Sequence, residues 1–238
     1  MNRILLPLFA IAAFTVAGCD TGTEGGTNAT TTKPAENFSG NVSIGKPAEA
    51  PPEVTQGQKA EGTAAPGATL PKDGEEVAVM ETSQGQIILK FFPKQAPKHV
   101  ESFKNLSKKG FYDGTKFHRA VPGFMIQGGD PNTKTGEGQP GTGGPGYNLK
   151  AEFNEIKHTR GILSMARSQS PDSAGSQFFV MHGDAPFLDN QYTVFGQVVS
   201  GMDAVDKIVS LPTSGESIQD MNQAVIKSVK IVKWPVKK

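Results

Sequence analysis

With 238 residues the chain has room for one ordinary domain plus additional segments. Its 24 Lys and Arg against 23 Asp and Glu leave a formal charge of +1, so it lacks the basic footprint of a nucleic-acid binder, and no nucleic-acid partner is expected. Only 36% of its residues are hydrophobic, and its 28 glycines and 17 prolines are concentrated in two stretches, so part of the chain is expected to remain outside any core.

Arg3 supplies a positive charge, and an apolar run from Ile4 to Val16 follows. A bilayer span needs roughly 20 apolar residues, so this run is too short to cross and fits the apolar core of a secretory signal. It ends in Val16-Ala17-Gly18-Cys19, and Cys19 is the sole cysteine. This ending resembles the lipobox of bacterial lipoproteins. The resemblance implies that residues 1–18 are removed and that the Cys19 sulfur carries a diacylglyceryl group. It also implies a location in the bacterial cell envelope, facing outside the cytoplasm, with the lipid bilayer as a partner. Two or more acyl chains hold a protein stably where one is marginal. With no second cysteine there is no disulfide, and stability must come from a core.

From Asp20 to about Asp73 the sequence is rich in Thr, Gly, Ala, Pro and Glu, with Phe38 its one aromatic residue. Such a composition cannot bury enough apolar surface to offset the entropy of ordering it. Residues 19–74 are therefore expected to form a disordered linker, about 40 Å from end to end as a flexible coil.

The character changes at Glu75. Val77–Met80 and Ile87–Phe92 predict two strands of a hairpin around Gly85. Ala96-Pro97 opens a helix whose apolar residues Val100, Phe103 and Leu106 keep helical spacing up to Gly110. Further strands are expected at Lys116–Ala120, Phe124–Gly128, Gly161–Ala166, Gln177–Met181, Val194–Val199 and Val225–Trp234, with a second helix over Met202–Ser210. Many short strands with two helices argue for a closed barrel or a sandwich. Pro131–Gly146 reads as a long glycine-rich surface loop.

Two G-x-G-x-x-G matches in that loop, at Gly136 and Gly141, have a proline where a helix would have to begin, so dinucleotide binding is not expected. His99, His118, His158 and His182 are scattered without metal-ligand spacing, and no nucleophile elbow is present. Neither a metal nor another cofactor is expected. Two runs remain. Phe117–Asp130 joins an arginine, a Pro122-Gly123 turn, two large apolar residues and a glutamine. Gly175–Val180 places Gln177 and Phe179 on one strand face and Phe178 on the other.

These runs, with Ser164-Met165-Ala166 and Phe187–Gly196, resemble the cyclophilin family of peptidyl-prolyl isomerases over roughly Glu75 to Lys238. The resemblance implies a mainly β domain at 75–238, a closed eight-stranded antiparallel barrel capped by two α-helices. It implies catalysis by Arg119, a proline pocket walled by Phe124, Met125, Phe179 and Leu188, and Gln127 steadying the arginine. Gln177, Ser168, Phe187 and Tyr192 are implied as further substrate contacts, and proline-containing polypeptides bound by a monomer as the clients. Phe187, Tyr192 and Arg167 stand where many members have tryptophan, histidine and asparagine. A proline-peptide binding module or holdase would need the same walls, but it would not need the Arg119–Gln127 pair.

Overall fold

The structure, a computed structural model, describes residues 63–65 and 67–236, all within the second of two units of the chain, Gln56–Lys238. The expected signal peptide, Cys19 and the linker up to residue 62 lie outside the described residues.

The strands are β1 (Glu76–Thr82), β2 (Gly85–Phe91), β3 (Arg119–Val121), β4 (Met125–Gly128), β5 (Ile162–Met165), β6 (Phe178–Met181), β7 (Val194–Ser200), β8 (Thr213–Ser214), β9 (Ser217–Ile218) and β10 (Ile226–Lys233). The helices are α1 (Pro97–Lys108), the four-residue α2 (Asn132–Thr135) and α3 (Met202–Val209). The strands form one antiparallel sheet in the order β10-β1-β2-β7-β5-β6-β4-β3-β9-β8. The fold is thus mainly β, but the expected closed eight-stranded barrel with two helices is corrected. The sheet has ten strands and is open, because its end strands β10 and β8 do not pair. The reason lies after α3. Gly215, at φ 60°, turns the chain into the β8–β9 hairpin, and β9 takes the free side of β3 through Arg119 and Ser217. Only an isolated bridge at Lys116 and Val225, with bonds such as Phe117 N–H to the Ala224 carbonyl, reaches across to the start of β10.

The body also begins earlier than Glu75. Ala65 is buried, and the Met202 N–H donates to the Thr63 carbonyl at 2.9 Å. A side chain on Gly161 would put its Cβ 2.1 Å from that of Ala65, so the bare glycine provides Ala65's seat.

Helix α1 starts at Pro97, whose missing N–H costs nothing in a first turn. No local side chain caps it. Glu152, far along the sequence, accepts from the Lys98 and His99 N–H groups at 3.1 and 3.0 Å. A carboxylate there also suits the positive end of the helix dipole. The buried face of α1 carries Val100, Phe103 and Leu106 into the main core. Phe103 is surrounded by the rings of Tyr112, Phe195, Phe178 and Phe91, at centroid distances of 4.9, 5.5, 5.6 and 5.8 Å.

Strands β4 and β6 carry two cores at once. Ile126, Phe178 and Val180 enter the main core, while Met125, Phe179 and Met181 point to the opposite face and join Leu188 and Val194 in a second cluster. The pairing of Gln127 with Phe179 and of Met125 with Met181 fixes that second face.

All four histidines are held below the ordinary imidazole value, in each case mainly by burial. His99 shows why. Its Nδ1 lies 2.7 Å from Glu152, whereas its buried Nε2 meets no partner among the described residues. A second proton would therefore be an N–H without an acceptor. A depressed folded-state value means that the unfolded chain binds protons first on acidification. Stability from these groups is full above the unfolded value of about 6.5 and is lost as pH falls below it. Thermal unfolding followed from about pH 7.5 down to about pH 5.5, roughly one unit either side of that value, should show a falling Tm, and His99→Gln should flatten part of the slope. A Tm independent of pH across this window would contradict the reading.

Candidate active site

Arg119 lies on β3 directly opposite Gln127 on β4. Its Nε donates to Glu216 Oε2 at 2.7 Å, and its Nη1 donates to Gln127 Oε1 at 3.3 Å. Nη2 has no partner among the described residues. Gln127 passes the constraint on: its Nε2 donates to Gln177 Oε1 at 3.0 Å, and Gln177 Nε2 donates to the Gly143 carbonyl at 2.8 Å.

The glycine loop that ends this relay is held by Asp130. This fully buried carboxylate accepts from the Asn132, Gly141 and Gly143 N–H groups. A Cβ on Gly143 would lie 2.1 Å from Asp130 Oδ1, so no other residue fits there without moving the carboxylate.

Beside Arg119 is a small cavity of about 90 Å³. Phe124, Met125, Phe179, Leu188 and Tyr192 form its apolar walls, and Arg119, Gln127, Ala166 and Arg167 complete it. Met125 and Phe179 arrive there by strand alternation, and Leu188 by the 3-10 turn Pro186–Leu188. Tyr192 meets Phe179 edge-on at 5.7 Å. Phe187 stands outside the cavity, 59% exposed, with its ring 5.6 Å from Phe124, and so extends the apolar rim. Ser168 and Gln177 are not in these walls. They line a larger, polar groove of about 640 Å³ formed by 141–148, 166–168, Ser173 and 175–177. Gln127, Ala166 and Arg167 belong to both spaces, so the two are continuous.

Sequence reasoning missed Glu216, Asp130 and Ala166. Glu216 sits on a hairpin far from Arg119 in sequence and carries no local signal. Asp130 closes the run Phe117–Asp130 and could have been noticed as an acid at the mouth of a glycine-rich loop.

The site thus sets a guanidinium beside a small cavity that opens into an extended polar groove. Comparisons with known proteins name the family. A family model described as cyclophilin type peptidyl-prolyl cis-trans isomerase/CLD matches residues 77–236. A probable peptidyl-prolyl cis-trans isomerase of Brucella abortus is 50% identical over 142 residues, 57% of this chain and 72% of the relative. A peptidyl-prolyl cis-trans isomerase of Synechococcus elongatus is 48% identical over 120 residues, 50% of this chain and 78% of the relative. Among solved structures, a Cryptosporidium parvum cyclophilin crystallised in the presence of the dipeptide Ala-Pro has a TM-score of 0.60 at 33% identity, covering 66% of this chain and 99% of that one. The chain belongs to the cyclophilin type peptidyl-prolyl cis-trans isomerase family. It is by that membership an enzyme of cis–trans isomerisation at peptidyl-prolyl bonds.

Proposed function

We propose that the chain isomerises X-Pro bonds of extracytoplasmic polypeptides as a monomer, with Arg119 as its catalytic residue, while tethered to a lipid bilayer through an acylated Cys19. The observation that carries the catalytic assignment is the state of Arg119: two of its nitrogens are bonded, the third meets no partner among the described residues, and the residue lines the small cavity.

The X-Pro bond resists rotation because amide resonance gives a barrier of ~18–20 kcal/mol. In the twisted transition state the resonance is gone, and the prolyl nitrogen carries a free lone pair. A donor aimed at that lone pair binds the twisted form more strongly than the planar one, and only such a difference accelerates the step. Arginine suits the task, being permanently charged and rigidly forked. Phe124, Met125, Phe179 and Leu188 would hold the ring while the rest of the peptide turns. By excluding water they would strengthen the arginine's field. No proton changes hands, and no nucleophile is needed.

The test is exchange NMR or a protease-coupled assay on an Ala-Pro peptide. Acceleration over the uncatalysed rate is expected, and binding without acceleration would instead make the protein a holdase. The anchor rests on the sequence ending at Cys19. In bacterial cells producing the full chain, mass spectrometry should find the mature N-terminus at Cys19 with a mass gain matching acylation. Cleavage elsewhere with an unmodified cysteine would refute the anchor.

A further inference from the structure

The walls of the two continuous spaces contain two cations, Arg119 and Arg167, and among the described residues no Asp, Glu or Lys lines either one. The two arginines differ in how their charge is met. Arg119 forms an ion pair with Glu216. Arg167 has no carboxylate within ion-pair distance among the described residues. Its own contacts are all to neutral groups. Nε donates to the Gln191 carbonyl at 3.1 Å, and Nη1 donates to the Ser168 and Gln169 carbonyls at 2.9 and 3.1 Å. Its guanidinium lies 4.7 Å from the centre of the Tyr192 ring. Nη2 meets no partner among the described residues.

These contacts preorganise the side chain. Three carbonyls and an aromatic face hold the guanidinium of a residue that lines both the small cavity and the polar groove. Holding an arginine still removes much of the entropy that a later ion pair would otherwise cost. A peptide whose proline occupied the small cavity and whose chain ran on into the groove would bring its residues beside the proline close to Arg167.

We propose that Arg167 is a specificity-determining residue that selects clients carrying an acidic side chain within about two residues of the proline, the carboxylate pairing with its unmet charge. The proposal rests on the isomerase reading and names the substrate class of that same site. The contact is to a flanking side chain that does not change as the bond twists. It therefore strengthens ground and transition states alike, and the selectivity should appear in KM rather than kcat.

The experiment uses short peptides around one Ala-Pro core, with Glu, Gln or Lys placed in turn two residues before, one before and one after the proline. Isomerisation is followed by exchange NMR at low and at high salt. For at least one position kcat/KM should rank Glu above Gln above Lys, with a Glu-to-Gln ratio of roughly threefold to tenfold. Salt should shrink that ratio. In Arg167→Gln it should fall to about one, and Arg167→Lys should restore part of it, because the charge returns without the fork. A ratio cancels any loss of folded enzyme, so a weakly folded variant still reports. A ratio of one at every position, or one unchanged in Arg167→Gln, would overturn the proposal alone. Failure to accelerate even the Gln peptides would overturn the isomerase reading, and this inference with it.

Discussion

Replacing Arg119 with alanine is expected to lower kcat/KM for an X-Pro peptide by about 100- to 1,000-fold, the usual cost of removing one preorganised donor from developing charge. The affinity for the same peptide should change by less than about tenfold, because in the proposed mechanism the apolar walls hold the ring in both states. That split separates a catalytic arginine from one that merely packs, since a packing residue would weaken binding and rate together. Arg119→Lys should recover little, because an ammonium lacks the fork that lets one side chain meet Glu216, Gln127 and a substrate at once. Glu216→Gln tests the positioning. The pair is partly exposed, so a loss of only about twofold to fivefold is expected. Equal kcat/KM in Arg119→Ala and the wild-type protein would remove the arginine from the mechanism.

Two adjacent phenylalanines should respond to truncation in opposite ways. Phe178→Ala empties a fully buried site ringed by Phe103, Tyr112 and Phe117, at 5.6, 5.7 and 6.1 Å. The expected cost is about 3–5 kcal/mol of folding stability, with activity per folded molecule little changed. Phe179→Ala opens the wall of the small cavity, so it should impair catalysis and peptide binding more than its stability loss explains. Denaturant melts paired with kinetics on both variants decide the matter. If Phe178→Ala impaired turnover at full folding while Phe179→Ala did not, the assignment of the two strand faces would be wrong.

That contrast was legible in the sequence, because alternation along a strand is a local rule. The helical spacing of Val100, Phe103 and Leu106 predicted α1 for the same reason, and the strands expected at Val77–Met80 and Ile87–Phe92 lie within β1 and within one residue of β2. The resemblance carried Arg119, Phe124, Met125, Gln127, Phe179, Leu188 and Tyr192, which the fold gathers around one cavity. The features that were not legible depend on distant partners. The Glu152 cap of α1, the Glu216 partner of Arg119 and the openness of the sheet each require knowing what a remote segment does. The two-residue strands β8 and β9 have no pattern to detect, yet they decide how the sheet ends. Phe187, expected from the resemblance as a further substrate contact, lies on the rim with its ring beside that of Phe124.

The seat of Ala65 on Gly161 has a mechanical consequence. Thr63, the first of the described residues, is joined to the body where the Met202 N–H meets its carbonyl, at the first turn of α3. Tension applied at Thr63 is therefore borne by this clasp, in shear against α3 and the loop before β5, before it can peel β1 from β10 and β2. The knob of Ala65 acts as strain relief, as on a cable entering a housing. A pulling experiment through the N-terminus should show a small early rupture, absent in Ala65→Gly, before the sheet gives way.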